Sequence, residues 1–387
     1  MEIKQVWQLV NSATEEVLGR QAVVNEDLTN VVDVGDELFN ANAVDKYVKT
    51  LVNHIGKVIF VNRPYRGSIP SVLMDGWEFG SVLEKIQADM PTATENETWE
   101  LENGASYDPN IFYQPKVSAK FFNKKITFEI PMSFTELQVK QSFSNGTQLN
   151  GFISMLYNSV DKAMTVKMDS LVMRTINNMI GETVYSEYPL ADYSTKSGVR
   201  AVNLLKLYNE KFPEAQITKE QALTTPAFIR FASMTMKNYT KRLSKMSSLF
   251  NVGGKERFTP SDLLHTVLLA DFESSAEVYL YDYTGQFKDE NIRFPKAETV
   301  PYWQGSGLDY SFEEISKIDI KTSENNTIQL SGILGVMFDR DALGVTNLDR
   351  RVTTNYNGKA EFFNNWYKFD AGYFNDLNEN FVVFFVA

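Results

Sequence analysis

The chain is 387 residues long and carries 38 Lys+Arg against 49 Asp+Glu, with two His and no Cys. That length accommodates two or three structural lobes, and an apolar share of 43% supplies real cores, which excludes wholesale disorder. Without Cys there are no disulfides, thiolate metal sites or cysteine nucleophiles; the two widely separated His exclude a His-rich metal site, and a net charge of −11 disfavours uniform binding to nucleic acid.

The composition leans against an enzyme, and its 27 Phe, 18 Tyr and 5 Trp favour large buried areas and interfaces. The opening residues, Met1 to Trp7, lack the basic-then-apolar pattern of a secretory signal. No stretch approaches the ~20 apolar residues that cross a bilayer, so a soluble protein made in the cytoplasm, without a membrane partner, is expected.

In chain order, Ile3, Val6, Val10, Val17 and Leu18 fit a short amphipathic helix, followed by an extended arm. Val44, Val48, Leu51, Val52 and Ile55 recur at helical spacing with Gly56 as the stop. Lys57 to Val61 reads as a strand, closed by Arg63-Pro64 and the Arg66-Gly67 turn. Ile86, Ala88 and Met90 then alternate with polar residues, as do Ile126, Phe128 and Ile130. Between these two strands, Pro91 to Pro115 holds Glu95, Glu97, Glu100, Glu102 and Asp108 and not one Lys or Arg. The pattern predicts an extended hairpin with an acidic tip. Such an arm cannot bury both its own faces and requires a partner.

From Thr147 to Ile180 there is no Pro and only one Gly, Gly151. Leu149, Phe152, Ile153, Leu156, Val160, Ala163, Met164, Met168, Leu171, Val172, Ile176 and Met179 recur at three- and four-residue steps. Asn145 or Thr147 is the expected cap and Gly181 the stop. This predicts a rod of about 50 Å, far longer than an average helix. It lacks a strict heptad, so it reads as a structural spine and not as a coiled coil. Further on, 200–211 and 226–250 read as helices. His265 to Ala270, Gly332 to Phe338 and Phe381 to Val386 are continuous apolar runs that fit central strands of a covered sheet closing a lobe begun near residue 200.

Chemical motifs are weak. Gly253-Gly254-Lys255-Glu256 lacks the other parts of a P-loop and reads as a turn. Asp339-Arg340-Asp341 reads as a solvated strand end in preference to a divalent-ion site. His265 reads as a satisfied, partly buried core residue, and His54 as a helix C-terminal cation. No catalytic, cofactor-binding or metal residues are assigned, and no cofactor is expected. The alternative function is an aromatic-rich carbohydrate-active or carbohydrate-binding tail-associated protein, since two carboxylates suffice for glycoside hydrolysis. The Glu95–Glu102 cluster would be their source, but it occupies an unsupported tip, where catalytic carboxylates need rigid surroundings. Arg230, Lys237, Lys241 and Lys245, spaced by seven, four and four, fall within about 60° on one helix face. That stripe is either a solvated face or a docking surface for something acidic.

An N-terminal arm, a long hairpin, a helix of about nine turns and a mixed lobe follow one another. This α+β order resembles the major capsid protein of tailed bacteriophages, the Hong Kong 97-like fold. It is similar to those of small short-tailed podoviruses of Gram-positive hosts through Asn30-Val31-Val32-Asp33-Val34-Gly35 and the run from Leu51 to Ile59. The run from Ser261 to His265 and that from Leu268 to Glu273 add to the likeness.

The resemblance implies a self-assembling structural protein, not an enzyme, forming hexamers and pentamers of an icosahedral head around double-stranded DNA, made in the host cytoplasm and ending in the virion. It implies an N-arm (1–63), an extended loop (64–131), a peripheral domain (132–200 and 345–375, with a spine helix at 147–180) and an axial domain (201–344 and 376–387). A separate scaffolding protein and a portal are implied as partners, with no fused scaffold and no appended immunoglobulin-like domain. Some relatives weld their shells through a Lys–Asn bond in this loop; the tip lacks Lys, although Lys116 and Lys120 lie close behind. A net acidic subunit limits sticking of packaged DNA, which is held without sequence specificity. Candidate inter-subunit contacts are Glu95, Glu97, Glu100, Glu102 and Asp108 on one side and Arg230, Lys237, Lys241, Lys245, Arg350 and Arg351 on the other.

Overall fold

The computed structural model describes residues 3–19, 24–40, 43, 46–52, 54, 69–74, 83–88, 93, 110–114, 116–193, 196–280, 297–304 and 311–387. In chain order its elements are α1 (Ile3–Leu18), α2 (Val31–Asn40), α3 (46–52), β1 (Leu73–Met74), β2 (Leu83–Ala88), β3 (Val117–Phe122), β4 (Lys125–Thr135), α4 (Glu136–Ser142) and α5 (Gly146–Glu187). There follow β5 (Ala201–Asn203), α6 (Leu204–Lys211), α7 (Pro226–Leu243), β6 (Leu264–Leu269), α8 (Ala270–Leu280), β7 (Ala297–Val300) and α9 (Phe312–Ile315). The remaining strands are β8 (Ile318–Lys321), β9 (Thr327–Leu330), β10 (Ile333–Asp339), β11 (Leu343–Asn357), β12 (Phe362–Asn375) and β13 (Phe381–Phe385). The mixed α+β class stands. Contacts divide the chain into unit one (Met1–Glu78, Lys125–Val172, Val345–Gly372) and unit two (Phe79–Lys124, Met173–Gly344, Tyr373–Ala387).

In unit one, α1 forms as expected and buries Val6 and Val10, with Val17 and Leu18 half-buried. The extended arm expected after it is instead a second helix, α2. Val31, Val34, Gly35 and Leu38 are its buried stripe at helical spacing, a pattern obscured by the paired Val and the Gly. Gly35 is required there, because a Cβ would lie 2.7 Å from the Phe143 Cβ. His54 is helical and its Nε2 lies 3.2 Å from Glu16 Oε2. The expected strand at 57–61 lies outside the described residues. A four-stranded sheet runs β1-β11-β12-β4. β4 alternates strictly, with Ile130 and Phe134 buried and Thr127, Glu129 and Ser133 exposed. Its pairing corrects the sequence reading: 126–130 is a strand, but its partner is β12, antiparallel from Phe362↔Thr135 to Gly372↔Lys125.

Helix α5 is longer than predicted at its far end. Asn145 caps it, its Oδ1 accepting from the Gln148 N–H at 2.8 Å. Ten of the twelve stripe residues are buried, Phe152 and Ala163 being half-buried. Gly181 does not stop the helix. It lies within it, where a Cβ would come 3.1 Å from Ile320 Cγ2, so its lack of a side chain serves close packing of β8.

In unit two, a five-stranded sheet has the order β5-β13-β10-β6-β7. Its three central strands are the three apolar runs, and every residue of each is buried. β10 is antiparallel to both β13 and β6, while β13–β5 and β6–β7 are parallel. Asn177 Nδ2 donates to the Trp303 carbonyl (2.6 Å) and Trp303 Nε1 to the Ile333 carbonyl (3.0 Å), which satisfies these two donors inside the core. His265 is fully buried, stacked on Phe338. Asp339, expected at a solvated strand end, is likewise buried: its Oδ1 accepts from the Asp341 N–H, and burial holds its carboxyl above the ordinary value. The Gly253-Gly254 segment is a turn closed by Asn251, whose side chain bonds both backbone groups of Lys255.

Candidate inter-subunit surfaces

The hairpin of unit two is made of β2 and β3, antiparallel with Leu83↔Phe122, Lys85↔Lys120 and Ile86↔Ala119. Its return strand is therefore 117–122 and not 126–130. Residues directly opposite share a face and alternate residues change face. Lys85, Lys120 and Phe122 thus lie on one side, and Ile86, Val117, Ala119 and Phe121 on the other. Ile86, Val117 and Phe121 are 67%, 61% and 63% exposed, so the apolar side faces solvent. Ile111, Phe112 and Tyr113, just before β3, are exposed too.

The opposite side is pinned to the turn between β12 and β13. Lys85 Nζ donates to Asp376 Oδ2 (3.0 Å) and Glu379 Oε1 (2.7 Å), and Lys120 Nζ donates to Asp376 Oδ1 (2.8 Å). Arg257 Nε stands 3.4 Å from Glu379 Oε1, and Phe122 packs on Phe374 with ring centroids 5.1 Å apart. The Asp376 side chain has no exposed surface. Burial pushes its carboxyl up, but hydrogen bonds and charge from Lys120 and Lys85 outweigh that and hold it below the usual 3.8. For Glu379 burial dominates over Lys85 and Arg257, and the carboxyl is raised. Burial pulls Lys85 down, and the two carboxylates more than restore it.

These anchoring residues were not legible in the sequence. Asp376 and Glu379 sit in Asn375-Asp376-Leu377-Asn378-Glu379-Asn380, which looks like a polar turn, and their lysines are over 250 positions away. The acidic candidates Glu95, Glu97, Glu100, Glu102 and Asp108 lie outside the described residues, as does the side chain of Arg350. Of the basic stripe, Arg230 and Lys241 are exposed and Lys237 half-buried on α7, whose opposite face buries Phe228, Ile229, Ala232, Met236, Tyr239 and Leu243. Lys245 does not share the helix, which ends at the Ser244 cap. Arg351 is engaged within its own sheet. Its Nη1 donates to Asp370 Oδ2 (3.1 Å) and Asp349 Oδ2 (2.9 Å), and Asp370 also accepts from Thr127 Oγ1 at 2.6 Å.

The hairpin is thus held by ion pairs on one side and presents Ile86, Val117 and Phe121 to solvent on the other. The chain is similar to a chain in the capsid structure of Staphylococcus phage Andhra (12% identity, TM-score 0.49, covering 84% of this chain and 86% of that one). It is also similar to a chain in a structure of the head fiber and inner core protein of native bacteriophage P68 (9%, TM-score 0.47, 83% and 85%) and to the capsid of Cyanophage P-SCSP1u (9%, TM-score 0.42, 84% and 90%). No curated protein sequence matches it. The family model for the Phi29-like phage major capsid protein matches residues 10–385, nearly the whole length, and the chain therefore belongs to that family of shell-forming virion proteins.

Proposed function

We propose that copies of this chain assemble through hexamers and pentamers into the icosahedral head that encloses the double-stranded DNA of a tailed phage, with no enzymatic role. The observation that carries the finer reading is the hairpin's exposed apolar side, Ile86, Val117 and Phe121, continued by Phe112 and Tyr113. Exposed apolar surface on this scale marks an interaction site. In this reading the hairpin is the extended loop within 64–131 and lies over a neighbouring subunit. Residues 1–63 are the N-arm, 132–200 with 345–375 the peripheral domain carrying α5 as spine, and 201–344 with 376–387 the axial domain. A separate scaffolding protein and a portal complete the assembly, and DNA is enclosed without sequence recognition. The carbohydrate-active alternative has no support from the family.

The test is electron microscopy of the chain produced with and without its companion virion proteins. Closed shells or hexameric and pentameric rings are expected; a persistent monomer, or rings of a single other symmetry, would remove the reading. Deleting 91–114 and joining the strands by a short turn is expected to leave a folded subunit that assembles poorly.

A further inference from the structure

Within unit two, α6 and α7 border an open cleft of about 520 Å³. Its floor is Leu207, Phe231, Thr235 and Tyr239, and its rim carries Lys211 and Arg242. On α7, Phe231, Thr235, Tyr239 and Arg242 recur at four-, four- and three-residue steps, so one helix face supplies four of the nine lining residues. Phe231 of the floor packs against Tyr208, with ring centroids 5.6 Å apart, and Tyr208 in turn against Phe212 at 5.0 Å. Both cations lie over rings: Lys211 Nζ is 5.5 Å from the Phe231 centroid, and Arg242 Cζ is 5.0 Å from that of Tyr239. Among the described residues no carboxylate is paired with either cation. Glu210, the one acid in the lining, stands 3.5 Å from Lys206. The volume lies within the roughly 300–1,000 Å³ range of clefts that take small-molecule-sized groups.

A basic rim over an aromatic floor selects an acidic chain with a large planar side chain: charge meets the rim, and the ring stacks below. The sequence contains such a chain. Residues 93–110 hold four Glu and one Asp, no Lys or Arg, and Trp99 between Glu97 and Glu100. We propose that this cleft is the seat for segment 93–110 of a second copy of the protein, Trp99 entering the aromatic floor and Glu97 and Glu100 meeting Arg242 and Lys211. The proposal rests on the shell-forming reading above and names the surface that receives the acidic segment, in place of the α7 stripe as a whole.

Two measurements on the full-length chain test it. A fluorescein-labelled peptide of residues 93–110, titrated against the unassembled subunit, is expected to show saturable anisotropy. Lys211→Glu with Arg242→Glu, and separately Trp99→Ala in the peptide, should each weaken binding at least tenfold, with the circular dichroism of the subunit unchanged. Binding that is absent, or indifferent to the rim substitutions, overturns the proposal even where shells form normally. In assembled shells, a photo-cross-linking residue at Thr235 is expected to join residues 93–110 of a different chain, identified by mixing isotopically labelled and unlabelled subunits. Adducts within one chain, or to another virion protein, overturn the assignment of a second copy. If no shells form, the shell-forming reading fails, and the peptide titration still decides what the cleft binds.

Discussion

Asp376 is the carboxylate that accepts from both hairpin lysines, Lys85 and Lys120. Asp376→Asn removes the negative charge from between Lys85 and Lys120; with Lys85 still paired to Glu379 and Lys120 partly exposed, the loss costs about 1–2 kcal/mol. A lower urea midpoint is expected; an unchanged one would show that the pairs contribute little. The pH dependence has a definite sign. Because the folded-state pKa of Asp376 lies below 3.8, its contribution is complete above the unfolded value and is lost as pH falls through the folded one. Below about pH 4 the wild type should therefore lose stability faster than Asp376→Asn, and the two should converge. Glu379 and Asp339, both raised, act in the opposite sense and blunt the effect without reversing its direction at Asp376. In unit one, Leu171 is 2% exposed, and Leu171→Asp places a charge among apolar neighbours at a cost of several kcal/mol, seen as insolubility or a large drop in melting temperature.

At the scale of elements, glycine distinguishes helix propensity from packing. Gly151 on α5 has no atom within 4 Å of the place a Cβ would occupy, so Gly151→Ala is expected to stabilise by about 0.5–1 kcal/mol. Gly35 on α2 offers the same propensity gain but meets Phe143 at 2.7 Å, and Gly35→Ala should be net destabilising by about 1–2 kcal/mol. Paired denaturation curves check both. The same contrast explains what could be read in advance. β6, β10 and β13 declared themselves because both their faces are covered, and α5 because its apolar steps are uninterrupted over many turns. β4 was recognisable as a strand from its alternation, but alternation carries no information about the neighbour; its pairing with β12 is a contact between segments over 200 residues apart. Gly181 looked like a helix end because its role, admitting Ile320, depends on that distant residue. Of the surface candidates, charge composition located Arg230, Lys237 and Lys241 on one helix face, while the lysines that matter at the hairpin base were hidden in an exposed-looking strand.

For the whole molecule, the acidic segment should guide assembly more than it drives adhesion, since each exposed ion pair is worth only ~0–1 kcal/mol. Reversing charge with Glu97→Lys and Glu100→Lys is expected to slow shell formation at low salt while leaving subunit folding intact. At 1 M salt, where screening falls to about 3 Å, wild-type assembly should slow towards the variant's rate. Light scattering follows both, and equal rates at low salt would reduce the segment to a solvated loop. The place of β13 bears on when such surfaces come into being. Strands 201–203, 264–269, 297–300 and 333–339 are all synthesised before it, yet it stands between β5 and β10, and the turn preceding it holds the carboxylates that grip Lys85 and Lys120. At translation rates of roughly 5–20 residues per second, several seconds separate β10 from β13. During that interval a nascent chain lacks β13 and the carboxylates that grip the hairpin. On the shell-forming reading proposed above, a subunit is therefore expected to enter a shell only once residues 381–385 have been made.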